Sequence, residues 1–171
     1  RSEWSKKRNA RIKEDLISTP NNLFPVLKIE EGKIPCKDDP VFKNNYSGIV
    51  QKGGRSEAIK ILNSFLAFRG KKYTYNISKP GISEQTCTRL SPHLTWGTIC
   101  SKEILKLIKT KKESLLQNET KIWNKNLSSV ISRLSWRCHF IQKLESQPSI
   151  EFKCMHPFYD GLRENNFNNK F

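Results

Sequence analysis

The sequence predicts an all-α protein on three observations. Apolar residues recur at helical spacing in long stretches, those stretches carry helix start and stop signals, and runs patterned like strands are weak throughout. Taken in order, residues 3–16 (EWSKKRNARIKEDL) are strongly charged and read as a short, mostly exposed helix. Residues 17–53 hold Pro20, Pro25, Pro35 and Pro40 with poor periodicity, and they read as an extended linker. Ala58, Ile59, Leu62, Phe65 and Leu66 then place an amphipathic helix over 55–69, with Gly70 as its stop. Residues 71–91, polar and broken by Pro80-Gly81, read as a loop. Ser101 is the expected cap of a helix running to Glu113. A long helix over 119–146 carries Leu127, Val130, Ile131, Leu134, Ile141 and Leu144 as its buried stripe. Residues 147–171 hold Pro148, Pro157 and Gly161 and read as irregular.

The expected organisation is therefore a linker with a short charged helix over 1–52 and a helical domain over 53–171. Three long helices and a linker bury little apolar surface for 171 residues, so the chain reads as part of a larger domain. No run of 18 apolar residues is present, and no membrane span is expected.

The formal net charge is +15 and the mean hydropathy −0.65. Such a balance favours polyanionic partners such as nucleic acid or anionic lipid. With 22 Lys, 14 Asn and only 3 Ala, an AT-rich coding sequence accounts for the same bias equally well. Cys36, Cys87, Cys100, Cys138 and Cys154 form no C-x-x-C pair, which argues against a zinc site, an iron–sulfur cluster or a disulfide framework. Reduced thiols in the cytoplasm, or in the nucleus of a eukaryote, fit best. His93, His139 and His156 belong to no H-E-x-x-H motif, and neither G-x-S-x-G nor a P-loop occurs.

Two segments carry unusual chemistry. The first is Thr86-Cys87-Thr88-Arg89-Leu90-Ser91-Pro92-His93-Leu94, where hydroxyls and backbone N–H groups could hold a phosphate with Arg89 as counter-charge. An ordinary polar loop is the alternative. The second is Arg133-Leu134-Ser135-Trp136-Arg137-Cys138-His139-Phe140. There Arg133, Trp136, Arg137 and Phe140 are expected on one cationic-aromatic helix face, roughly opposite the apolar stripe. Burial of Trp136 and Phe140 against a neighbouring helix is the alternative.

Together with three further segments, these resemble the cryptochrome/photolyase family over residues 46–165. Gly53-Gly54-Arg55-Ser56-Glu57-Ala58 is similar to the opening of that family's first FAD-domain helix. Tyr75 precedes Cys87-Thr88-Arg89-Leu90-Ser91 as the family's FAD-contacting Tyr precedes its T-S-R-L-S loop. Leu134-Ser135-Trp136-Arg137 is similar to the L-x-W-R helix, and Met155-His156-Pro157-Phe158-Tyr159-Asp160-Gly161-Leu162-Arg163 to an N-P-x-Y-D-G-x-R segment.

The resemblance implies the first part of a helical FAD-binding domain in a monomeric flavoprotein that repairs ultraviolet-damaged DNA in light. A blue-light receptor of the cryptochrome type, or a basic nucleic-acid-binding module without flavin, are the alternatives. By carry-over, Tyr75, Thr88, Leu90 and Ser91 would hold the phosphates and ribityl chain of FAD, with Arg89 also among the cofactor-binding residues. Arg137 would contact the cofactor, and Trp136 would stack on a base flipped out of DNA. The elements that face the flavin ring in that family would lie outside these 171 residues, so the chain by itself is expected neither to hold FAD tightly nor to repair DNA. No metal is implied. Two positions depart from the pattern. Cys87 replaces a Thr, and Arg133 stands where dimer-repairing members carry a Glu that accepts a hydrogen bond from the lesion, a role closed to a guanidinium.

Overall fold

In the computed structural model the described residues are 2–22, 24, 29, 30, 32, 33, 35, 40 and 51–162. Among them the chain is all-α, with no strand. The long helices are α1 (Ser2–Lys13), α2 (Arg55–Ala67), α6 (Ser101–Glu113) and α7 (Thr120–Ser146). Short helices α3 (Tyr73–Asn76), α4 (Ser83–Thr86) and α5 (Ser91–Thr95) lie between α2 and α6. Single 3₁₀ turns occur at Arg69–Lys72, Pro148–Glu151 and Pro157–Tyr159. Most of the expected linker, Cys36 and Arg163 fall outside the described residues.

The three core helices lie where apolar spacing puts them, but their punctuation differs from expectation. Gly54 precedes α2 at φ 96°, a backbone conformation that L side chains rarely adopt. Gly70 does not act as a helix terminator. α2 ends at Ala67, and Gly70 is buried in the 3₁₀ turn, where an added Cβ would lie 2.8 Å from the Trp123 ring and 2.9 Å from the Phe65 carbonyl. Its role is close packing. Ser101 is the first residue of α6 rather than its cap. Cys100 caps it, its Sγ accepting from the Glu103 N–H at 3.4 Å. The expected loop over 71–91 is largely helical, because Tyr73 and Asn76 are drawn into the core and close a turn there.

The core joins Ala58, Leu62 and Phe65 of α2, Ile104 and Ile108 of α6, and Trp123, Leu127, Val130 and Leu134 of α7, all buried. Asn126 stitches α7 to the segment after α2. Its Oδ1 accepts from the Thr74 N–H and hydroxyl, both at 2.7 Å, and its Nδ2 donates to the Lys71 and Ile122 carbonyls. A buried amide so fully partnered fixes register as well as adding stability. Arg69 ties the same region together, donating to Ser64 Oγ at 2.9 Å and to the carbonyls of Ile61 and Cys87.

The expected stripe on α7 is buried only in part. Ile141 and Leu144 are exposed, as are Trp136 and Phe140. The charged helix α1 is not free in solvent. Trp4, Ser5, Arg8 and Ile12 are half-buried, the Trp4 ring meets the edge of His139 at 5.7 Å, and Glu14 beyond the helix pairs with Lys102 of α6 at 3.0 Å.

Candidate functional site

The Cys87–Leu94 segment owes its shape to three anchors. Arg69 binds the Cys87 carbonyl, Gln51 Nε2 donates to the Arg89 carbonyl at 2.7 Å, and the Leu90 side chain is buried in the core. Arg89 takes a left-handed backbone, φ 58°, which turns its side chain to an ion pair with Glu84 at 2.9 Å. Burial pushes the Cys87 thiol up from its ordinary range, with Arg69 and Arg89 pulling weakly the other way. Cys87 is half-buried and packs against the core cluster.

Across from this segment runs α7, and between them lies a cleft of about 460 Å³. Thr88 and Ser91 contribute hydroxyls from one side, Arg133 and Arg137 guanidiniums from the other. Leu90, Leu94, Ile104, Val130 and Leu134 form its apolar surface. Arg137 donates to the Leu94 carbonyl at 3.3 Å, which links the two walls. The volume lies within the range of about 300–1,000 Å³ typical of small-molecule sites.

Of the residues singled out in the sequence, Thr88, Leu90, Ser91 and Arg137 line this one cleft. Arg89 is directed to Glu84 instead. Tyr75 is 73% exposed and carries Lys79 Nζ 3.4 Å from its ring centroid, outside the cleft lining. Tyr73, two residues earlier and buried, lines the cleft in its place. Burial also pushes the Tyr73 phenol above its ordinary range. Tyr73 meets the Phe65 ring edge-on at 5.6 Å, but α2 ends at Ala67 and a 3₁₀ turn intervenes, so helical periodicity in the sequence does not single it out.

The α7 face also differs from expectation. Steps of 100° per residue put Arg133 and Arg137 beside Val130 and Leu134, not opposite them, so both arginines flank the apolar stripe and reach the cleft. Trp136 and Phe140 lie further round the helix, stacked at 5.8 Å. Trp136 lines a separate hollow of about 180 Å³ with Trp4, Ser5 and His139.

His93, the centre of the Pro92-His93-Leu94 sequence, is buried. Its Nδ1 lies 3.0 Å from Thr98 Oγ1, and its Nε2 has no partner among the described residues. Among the described residues no three His, Cys, Asp or Glu side chains cluster as a metal site, and no helix is long and apolar enough to cross a membrane. Compared with protein-family models, curated proteins and solved structures, the chain matches none.

The donor set suits a phosphorylated ligand with an apolar part. Two guanidiniums and two hydroxyls offer N–H and O–H donors to phosphate oxygens, while the leucines and Val130 shield the remainder.

Proposed function

We propose that the cleft is the phosphate- and sugar-binding part of an FAD site, in a DNA-directed flavoprotein of the photolyase type. The observation that carries this reading is that Thr88, Leu90 and Ser91 from one segment and Arg137 from another, distant in sequence, line one cleft. These are residues to which the motif resemblance gives cofactor contacts. When bound and reduced, FAD supplies a light-excited electron donor. The residues of this chain bind and orient it: Arg137 pairs with phosphate, Thr88 and Ser91 donate to it, and the apolar lining excludes water. A net charge of +15 supports a DNA backbone as partner. Arg133 in the cleft lining favours a second reading, a light receptor of the cryptochrome type, because a guanidinium cannot accept a hydrogen bond from a pyrimidine dimer.

The test is a titration of the 171-residue chain with FAD, followed by flavin fluorescence. Saturable binding, weak enough to be lost on gel filtration and displaced by ADP, is expected, because the cleft covers only part of so large a ligand. Arg137→Ala should weaken it about tenfold, the loss of a charge-assisted contact. Binding that never saturates, or that Arg137→Ala leaves unchanged, would overturn the reading.

A further inference from the structure

We infer that Arg133 is a second phosphate ligand of this cleft, and that Arg133 and Arg137 together select ligands carrying two linked phosphates over ligands carrying one. The inference rests on the cleft being the ligand site, as proposed above, but not on the ligand being a flavin.

Four residues apart on α7, the two arginines are neighbours on one helix face, with Cβ atoms about 5–6 Å apart. Both line the cleft, and no carboxylate lines it with them. This sets them apart from the other arginines between residues 51 and 162. Arg55 is bidentate to Glu103 at 3.0 and 2.6 Å, Arg89 pairs with Glu84, and Arg69 is occupied by Ser64 and two carbonyls. Arg133 and Arg137 form no ion pair among the described residues, and Arg137 gives one N–H to the Leu94 carbonyl.

Two adjacent, unneutralised cations repel one another, and an anion of two or more charges placed between them relieves that repulsion. A monophosphate must share one set of oxygens between the two forks, whereas a diphosphate carries more charge and spreads it over two phosphoryl groups, so each guanidinium can engage its own. The Thr88 and Ser91 hydroxyls on the facing wall supply further donors, and the apolar lining accepts the organic part of a diphosphate ester. Arg133 is exposed and is not one of the buried core residues, so its substitution is expected to leave the packing intact.

The test compares binding of ADP with AMP, and of pyrophosphate with orthophosphate, to the wild-type chain and to Arg133→Gln and Arg133→Lys, with far-ultraviolet circular dichroism as the check on folding. ADP is expected to bind about tenfold more tightly than AMP, pyrophosphate should show the same preference over orthophosphate, and Arg133→Gln should abolish both preferences by weakening ADP about tenfold more than it weakens AMP. Arg133→Lys should restore part of the preference, since it keeps the charge and loses the fork. Equal affinities for ADP and AMP, or a preference that survives Arg133→Gln, would sink the inference. The two readings separate in the FAD arm. If the ADP preference holds but FAD binds no more tightly than ADP, the diphosphate site stands and the flavin falls. If FAD binds and Arg133→Gln changes nothing, the flavin stands and Arg133 falls.

Discussion

The two halves of α7 both carry large apolar residues and meet opposite fates. In the first half Trp123, Leu127, Val130 and Leu134 are buried, and α7 packs against α3, α6 and the 3₁₀ turn at Arg69–Lys72. In the second, Trp136, Phe140, Ile141 and Leu144 are between 43% and 53% exposed. The exposed apolar character continues through Phe152, Met155, Phe158 and Tyr159. The difference teaches that the helix is built as a structural post at one end and as a surface at the other, with Arg133 and Arg137 at the junction. A ligand bound at that junction, as proposed, would be held by side chains carried on helical backbone, which suits precise positioning.

The sharpest way to break the comparison is to truncate one tryptophan from each half. Trp123 is fully buried, with Lys111 Nζ 4.9 Å from its ring centroid and Gly70 against its edge. Trp123→Ala should cost about 3–5 kcal/mol in urea unfolding. Trp123→Phe should cost less than half as much, because the indole Nε1 it removes is buried without a partner among the described residues. If Trp123→Ala is mild, the first half is not the core described here.

Next in size is Asn126→Ala, which takes the side-chain partner from the Thr74 N–H and hydroxyl and from the Lys71 carbonyl. A loss of about 1–3 kcal/mol is expected from the same unfolding measurement. Asn126-Leu127-Ser128 also matches the N-x-S glycosylation acceptor pattern, and burial of Asn126 within α7 closes that site to glycosylation in the folded chain.

Trp136→Ala supplies the contrast. It removes a half-exposed ring stacked on Phe140 and should cost no more than about 1 kcal/mol. A cost matching that of Trp123→Ala would show that the second half is packed in solution and would erase the distinction between the two ends.

The smallest expected effect lies at the start of α7. Lys71 Nζ, 2.6 Å from Glu119, holds that carboxyl below the usual carboxylate range through a hydrogen bond and its charge. A lowered folded-state pKa means a stabilisation present above the ordinary carboxylate value, about 4.3, and lost as pH falls through the lowered one. Lys71→Met should therefore lie slightly below wild type in stability at neutral pH and converge with it in acid. Because the pair is exposed, curves that run parallel down to acid pH would show that the two groups do not interact in solution.

Much of this protein was legible in the chain itself. The helical class, the extents of α2, α6 and α7, and the unusual chemistry of the Cys87–Leu94 and Arg133–Phe140 segments follow from apolar spacing, turn residues and side-chain type, all of them local signals. What local signals leave open is which neighbour reaches which face. Gly70 reads as a helix stop until the Trp123 ring arrives against it. The residues between Lys72 and Leu90 read as loop until Tyr73 and Asn76 are pulled into the core. Tyr75 and Arg89 carry as much promise in sequence as Thr88 and Ser91, yet a local turn and an ion pair to Glu84 direct them elsewhere. The cleft is a tertiary product. Arg133 and Arg137 are placed by the rotation of α7 about its axis, which burial of Trp123 and Leu127 settles two turns earlier, and Thr88 and Ser91 by the anchoring of Leu90 in the core. Periodicity determines which side of a helix is apolar, because it depends only on the 3.6-residue turn; what that side faces depends on contacts between residues far apart in sequence, and only the packed fold decides those.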